Sequence, residues 1–384
     1  MTVEKNKINR ALYPLPVHIA MAASNMTDFG SFSPDIQQYV AHYAAPAAEN
    51  DILAMMKGVR LYYDHPYQPD HTRRAPLWQD GTTCIYSASK PCKNPERVIL
   101  LVPSLVNGPE ILDLIEDRSL LEWMNNNNIE AYLLDWGELT KAHDDISVDH
   151  LVTITLPKAL QFIANKTGRA VDILGYCMGG TLCVAASLYA KQFISKMILL
   201  AAPWDFHTGN PLLSDRVRTW APVVLPVIDQ KKLLPARWTQ SLFASLDPKE
   251  ALGKFKRFSQ MDQSSTEAKI FVAVEDWINN GRDLPAPVAQ HCIRHWFSAN
   301  APAKGTWVVN DSKINVSNIE TPILIIASKN DKLVPYASAI EIKKSLPDNN
   351  AHILQVSCGH IGMIAGAKAV HDVWLPIRDW LLKK

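Results

Sequence analysis

From Leu77 onward, short continuous apolar runs recur between turn residues. They are Val98 to Val102 between Pro95 and Pro103, Ala131 to Leu134 before Asp135-Trp136-Gly137, and Val171 to Leu174 before Gly175. Further on come Met197 to Ala201 before Pro203, Ile323 to Ala327 after Pro322, and His352 to Val356 before Gly359. A shorter segment, Thr83 to Ser87, precedes them. Unbroken runs of this length predict strands buried on both faces. Helical patterns lie between most of them, at Leu151 to Asn165, Leu182 to Gln192 and Ala337 to Lys344, with Pro157 marking a kink or the true start of the first. Strand alternating with helix predicts an α/β fold with a mostly parallel sheet covered on both faces.

The alternation stops between about 207 and 320. That interval carries Trp220, Trp238, Phe243, Phe258, Trp277 and Trp296 with several prolines, and reads as mostly helical. Inserted after the strand ending near Ala201, it is expected to be a cap over the carboxyl ends of the strands, where such sheets bind ligands. Ahead of Leu77 the pattern is helical. Ser33 is the expected N-cap, with Pro34 and Asp35 in the first turn, then Ile36, Tyr39, Val40, Tyr43 and Ala44 at helical spacing. Pro46 divides that segment from a second pattern at Ile52, Met55 and Met56, and 63–76 reads as a linker. The expected organisation is a helical segment 1–75, a core of 76–206 and 319–384, and a cap 207–318.

Composition narrows the function class. Lys and Arg total 39 against 38 Asp and Glu, so no basic excess points to nucleic acid. Six scattered cysteines form no CxxC pair and read as reduced thiols of a cytoplasmic protein. The apolar stretch Val17 to Ala23 is short, follows Pro14 and Pro16, and is not expected to be a secretory signal. No apolar run approaches the ~18 residues of a membrane span.

The strongest chemical signal is Asp172-Ile-Leu-Gly175-Tyr176-Cys177-Met178-Gly179-Gly180-Thr181. A strand, a tight turn and a helix around G-x-C-x-G have the layout of the G-x-S-x-G nucleophile elbow, with cysteine for serine. A nucleophile on a strained turn needs small neighbours, here Gly175 and Gly179, and Gly180 lets the helix pack closely on the strand. The helix N-terminus favours thiolate, and the Met178 N–H can hold an oxyanion. Taken alone, the motif also fits a buried structural cysteine beside a glycine-rich turn; its downstream partners decide for chemistry. Elbow triads run nucleophile, acid, histidine. Ser328-Lys-Asn-Asp331 ends the fifth run and Ser357-Cys-Gly359-His360-Ile-Gly362 ends the sixth, so Asp331 and His360 are the expected acid and base. The glycines flanking His360 are expected to let its loop reach the sulfur. The second oxyanion donor is expected after the first long run, at the N–H of Leu105 or Val106, with Val106 preferred. His291 and His295 stand four apart on an expected helix, but no third ligand is near, so no metal site is assigned. Cys183 and Cys358 read as small buried hydrophobes.

A thiolate attacking a thioester yields another thioester of similar energy, so activation is kept for a second transfer. Cysteine therefore suits acyl transfer from a coenzyme A thioester better than ester hydrolysis, although some hydrolases of this fold also use it. On Val106-Asn107, Glu116-Asp117-Arg118-Ser119, Asp135-Trp136-Gly137, Gly175 to Gly180, Pro203-Trp-Asp205-Phe206, Asn330 to Pro335 and Gly359 to Gly362, the chain resembles the polyhydroxyalkanoate synthases, α/β-hydrolase-fold enzymes, and especially their short two-component members. The resemblance covers roughly 95–382. It implies polymerisation of (R)-3-hydroxyacyl-CoA, such as 3-hydroxybutyryl-CoA, into polyester at cytoplasmic granules, with Cys177 carrying the growing chain and CoA released. No cofactor is implied. A second synthase subunit is implied, and a homodimer is expected. A thioesterase or an intracellular polyester depolymerase of the same fold stays open beside it, as does a non-enzymatic granule protein with a vestigial site.

Overall fold

A computed structural model describes residues 49–69, 75–141, 146–209, 211–246 and 248–383. The expected helix capped by Ser33, and Pro46, lie outside them. An eight-stranded sheet is formed by β1 (Trp78–Asp80), β2 (Thr83–Ser87), β3 (Arg97–Val102), β4 (Ile129–Asp135), β5 (Val171–Tyr176), β6 (Ile194–Leu200), β7 (Ile323–Ser328) and β8 (Ala351–Val356). The principal helices, in chain order, are α1 (Glu49–Asp64), α2 (Leu120–Asn126), α3 (Leu156–Thr167), α4 (Met178–Ser187), α5 (Pro211–Lys231), α6 (Ala236–Leu246), α7 (Pro248–Phe258), α8 (Thr266–Asn279) and α9 (Ala286–His291).

Strand order is β1-β2-β4-β3-β5-β6-β7-β8. From β4 to β8 every pairing is parallel, while β1 and β2 add an antiparallel edge. The chain leaves β3 for β4 on one side and returns to β5 on the other. The direction of winding therefore reverses between β3 and β5, the position at which open α/β sheets bind ligands. All six long apolar runs are strands. The sixth departs from expectation, because β8 is the sheet edge and exposes His352 and Gln355. Its polar positions were the sign of one-sided burial.

Helix boundaries moved more. The first segment is one turn of α-helix from Val148, a π-helical turn over Leu151–Thr155, then α3, so the helical backbone runs on into Pro157 and the wider π turn directly precedes the proline. The second begins at Met178 and ends at Ser187, earlier at both ends than its pattern predicts. All ten residues of α4 are buried, so no polar face sets a period for the sequence to reveal. Ser119, from an otherwise unexplained motif, caps α2: its Oγ accepts the Glu122 N–H (2.9 Å) and donates to Asp113 Oδ1 (2.6 Å).

The described residues form two compact units, one from 49–69 with 237–281, the other from 75–236 with 282–383. The 207–318 interval is mostly helical, as expected, but its flanks 207–236 and 282–318 belong to the unit that holds the sheet. In the smaller unit α1 packs on α7. A side chain at Gly58 would collide with the Phe255 carbonyl, so only glycine permits that approach. Met55, Tyr62, Phe255, Phe258, Ala268 and Val272 form its core, with Phe258 stacked on Phe271 at 4.2 Å. The Tyr62 hydroxyl donates to Asp276 (2.6 Å), and Lys254 pairs with Glu275 (2.8 Å). No helix among the described residues is long and apolar enough to cross a membrane.

Candidate active site

Cys177 stands between β5 and α4 with φ 54° and ψ −130°. A side chain pays for φ above zero in steric strain, and a residue is held there only where its surroundings over-determine it. Here they do. The Cys177 N–H donates to the Leu200 carbonyl (2.9 Å) and its carbonyl accepts the Gly180 N–H (2.9 Å). Each glycine of the motif answers to a close approach. A Cβ on Gly175 would strike the Gly180 backbone, one on Gly179 the carbonyls of Val102 and Pro103, and one on Gly180 the Ala202 side chain. Strand β5, helix α4 and the end of β3 thus meet at the sulfur-bearing residue, which is 8 % exposed.

Asp331 follows β7. Its Oδ1 accepts the N–H groups of Leu333 and Val334, both at 2.8 Å, and its Oδ2 lies 2.7 Å from His360 Nδ1. An ionised carboxylate only accepts, so Nδ1 carries the proton and Nε2 is left for another partner. Cys177 is the other group whose charge acts on this imidazole. Burial, the largest influence, pushes the His360 pKa down. The charge of Asp331, the charge of Cys177 and hydrogen bonds to both outweigh it and raise the pKa to about 10. The three residues expected from chain order therefore come together.

Supports with no expected role surround them. The Asn330 side-chain amide donates to the Ser357 carbonyl (2.6 Å), tying the Asp331 loop to the His360 loop. The Tyr176 ring lies 5.1 Å from the His360 ring, and its hydroxyl donates to the His360 carbonyl (3.4 Å). Both residues stood in motifs, but only the folded chain shows their targets. The glycines flanking His360 behave otherwise than expected. Neither Gly359 nor Gly362 has a positive φ, and a Cβ on Gly359 would meet open space, so neither is needed for the reach of the imidazole.

Met178 opens α4, where a backbone N–H has no intrahelical acceptor. Val106 lies in the loop after β3, and its carbonyl accepts the Arg282 N–H (2.9 Å). Asp205, from the Pro203-Trp-Asp-Phe motif, accepts from Asn300 (2.7 Å) and from the His207 N–H (2.8 Å), while Asn300 also accepts the Phe206 N–H (2.9 Å). That network joins the segment after β6 to residues 297–300. His291 Nε2 is taken by the Trp307 indole (2.9 Å), and burial with neighbouring His295 lowers its pKa to about 3. It is a neutral acceptor, and no group of three or more His, Cys, Asp or Glu among the described residues is placed to hold a metal. Burial pushes the Cys183 thiol well up and raises Cys358 as well.

The family model described as alpha/beta hydrolase fold matches residues 140–367, more than half of the chain. The chain belongs to the alpha/beta hydrolase fold family. Similar relatives are named Poly(3-hydroxyalkanoate) polymerase subunit PhaC. That of Haloferax mediterranei is 25 % identical over 290 residues, covering 74 % of this chain and 58 % of its own. That of Haloarcula marismortui is 27 % identical, covering 73 % and 60 %. That of Synechocystis sp. is 26 % identical over 342 residues, covering 86 % and 90 %. The resemblance read from the motifs is thus borne out by relatives of that name. The match spans less than two thirds of the two haloarchaeal proteins.

Proposed function

We propose that this hydrolase-fold chain is an acyltransferase that polymerises (R)-3-hydroxyacyl-CoA, with Cys177, His360 and Asp331 as its catalytic triad. The observation that carries the reading is a cysteine held at φ 54° on the elbow turn, its charge acting on an imidazole whose Nδ1 faces a buried carboxylate at 2.7 Å. In the proposed cycle the Cys177 thiolate attacks the thioester carbonyl. The carbonyl–CoA bond breaks, CoA leaves as a thiol with the proton carried by His360, and the acyl group rests on sulfur. The developing oxyanion takes the N–H groups of Met178 and Val106. His360 then accepts the proton of the 3-hydroxyl of an incoming hydroxyacyl-CoA, whose oxygen attacks the Cys177 thioester; the acyl–sulfur bond breaks, Cys177 leaves as thiolate, and the chain, longer by one ester, is carried on CoA until it acylates Cys177 again. Asp331 holds the imidazolium throughout.

Nothing in this cycle requires a cofactor. Further parts of the reading are a cap formed within 207–318, a homodimer, a second synthase subunit, and a cytoplasmic location at the granule surface. The names of the polymerase relatives support the substrate class.

Purified protein incubated with 3-hydroxybutyryl-CoA should release CoA together with oligomer or polymer. Cys177→Ala should lower that release by at least about a thousandfold, the scale at which removal of a triad nucleophile acts. Release of CoA with free 3-hydroxybutyrate as sole product would instead make it a thioesterase.

A further inference from the structure

The loop after β3 is gripped at two of its carbonyls. The Trp136 indole N–H donates to Pro103 (3.1 Å), and the Arg282 backbone N–H donates to Val106 (2.9 Å). Ser104, between them, finds no hydrogen-bond partner for its buried Oγ among the described residues, so the loop is not holding itself there. Arg282 is fixed in turn. Its guanidinium lies 3.7 Å from Glu110 and 3.8 Å from Asp135, with the side chain 15 % exposed. A Cβ on Gly108 would fill the space the Glu110 carboxylate occupies. Asp135 and Trp136 are adjacent, so one turn after β4 holds the loop twice, directly through the indole and indirectly through Arg282. Two carboxylates facing one guanidinium neutralise it, which rules the recess out as an anion receptor and makes it a brace.

We propose that Arg282 is a positioning residue for the carbonyl-binding loop 103–108. The inference rests on the reading of the Val106 N–H as an oxyanion donor. With the Pro103 and Val106 carbonyls both held, the Leu105–Val106 peptide between them cannot rotate freely. Its N–H is then set before substrate arrives. Donors that need no reorganisation at the moment of reaction are what make an oxyanion site effective. Gly179 packs against Val102 and Pro103, so the same loop is also registered on the elbow.

The test separates the oxyanion from the nucleophile. Arg282→Met removes the charge, and Arg282→Lys keeps it. Cys177 is acylated with 3-hydroxybutyryl-CoA and, separately, with p-nitrophenyl acetate; both need an oxyanion donor. It is also alkylated with iodoacetamide, which needs only the thiolate. Arg282→Met should slow both acylations about tenfold or more, since a misplaced donor costs less than the 10²–10³ of a deleted one. Alkylation should stay within about twofold of wild type, and Arg282→Lys should recover part of the loss. Unchanged acylation overturns the proposal, as does an equal fall in acylation and alkylation, which would mark general damage. If wild type reacts with the ester but not the thioester, the polymerase reading fails while the ester series still decides the role of Arg282.

Discussion

At the residue scale, the chemistry turns on how one proton is held. Asp331 is locked by two backbone N–H groups on one oxygen and faces His360 with the other. The imidazole is consequently protonated through neutral pH, its pKa standing at about 10 against an ordinary 6.5. The folded state therefore binds more proton than the unfolded state between those values. Stability from this site is fully present below pH 6.5 and is lost as pH rises through about 10. The slope for one proton is at most about 1.4 kcal/mol per pH unit. Asp331→Asn removes the largest of the influences that together outweigh burial, so His360 should lose its proton much earlier. Urea midpoints measured from pH 6.5 to 10 should fall with pH in the wild type and be nearly flat in Asp331→Asn. Parallel curves would mean that His360 is not held charged by Asp331.

At the scale of elements, the turn between β5 and α4 is the critical joint. The motif's glycines, its order ahead of Asp331 and His360, and the strands that carry all three were legible in the sequence, because strand runs and turn residues are local signals. The start of α4 was not, since an all-buried helix has no polar stripe. Gly179→Ala should push α4 away from the Val102 and Pro103 carbonyls. Overpacking of this kind costs about 1–3 kcal/mol. Thermal unfolding should fall accordingly, and, on the proposed function, acylation of Cys177 should fall by more than the stability loss explains, because the elbow and the loop after β3 separate. A stable variant with wild-type acylation would show that this contact is not needed.

On the scale of the whole molecule, the described residues make two compact units, and the smaller one joins two segments, 49–69 and 237–281, that are far apart in the chain. Its α1–α7 approach depends on Gly58, where a methyl group meets the Phe255 carbonyl. Gly58→Ala should therefore destabilise that unit locally, despite alanine's better helix propensity. Hydrogen exchange should quicken in 49–64 and 248–258, while protection in β3 to β7 stays at wild-type level. Equal loss of protection in both units would show that they unfold as one.

What the amino-acid order alone determined was the alternation of strand and helix, the cysteine at the elbow turn, and the order in which Asp331 and His360 follow it at the ends of later strands. The runs and the turns that end them are local patterns, and the order of the three residues follows from which run each one ends. Tertiary structure decided the rest. Trp136 and Arg282 acquire their targets, Asn330 and Tyr176 brace the His360 loop, and residues 49–69 pair with 237–281 only once the backbone has folded. Those relations are set by which surfaces meet in space, and no spacing along the chain records them.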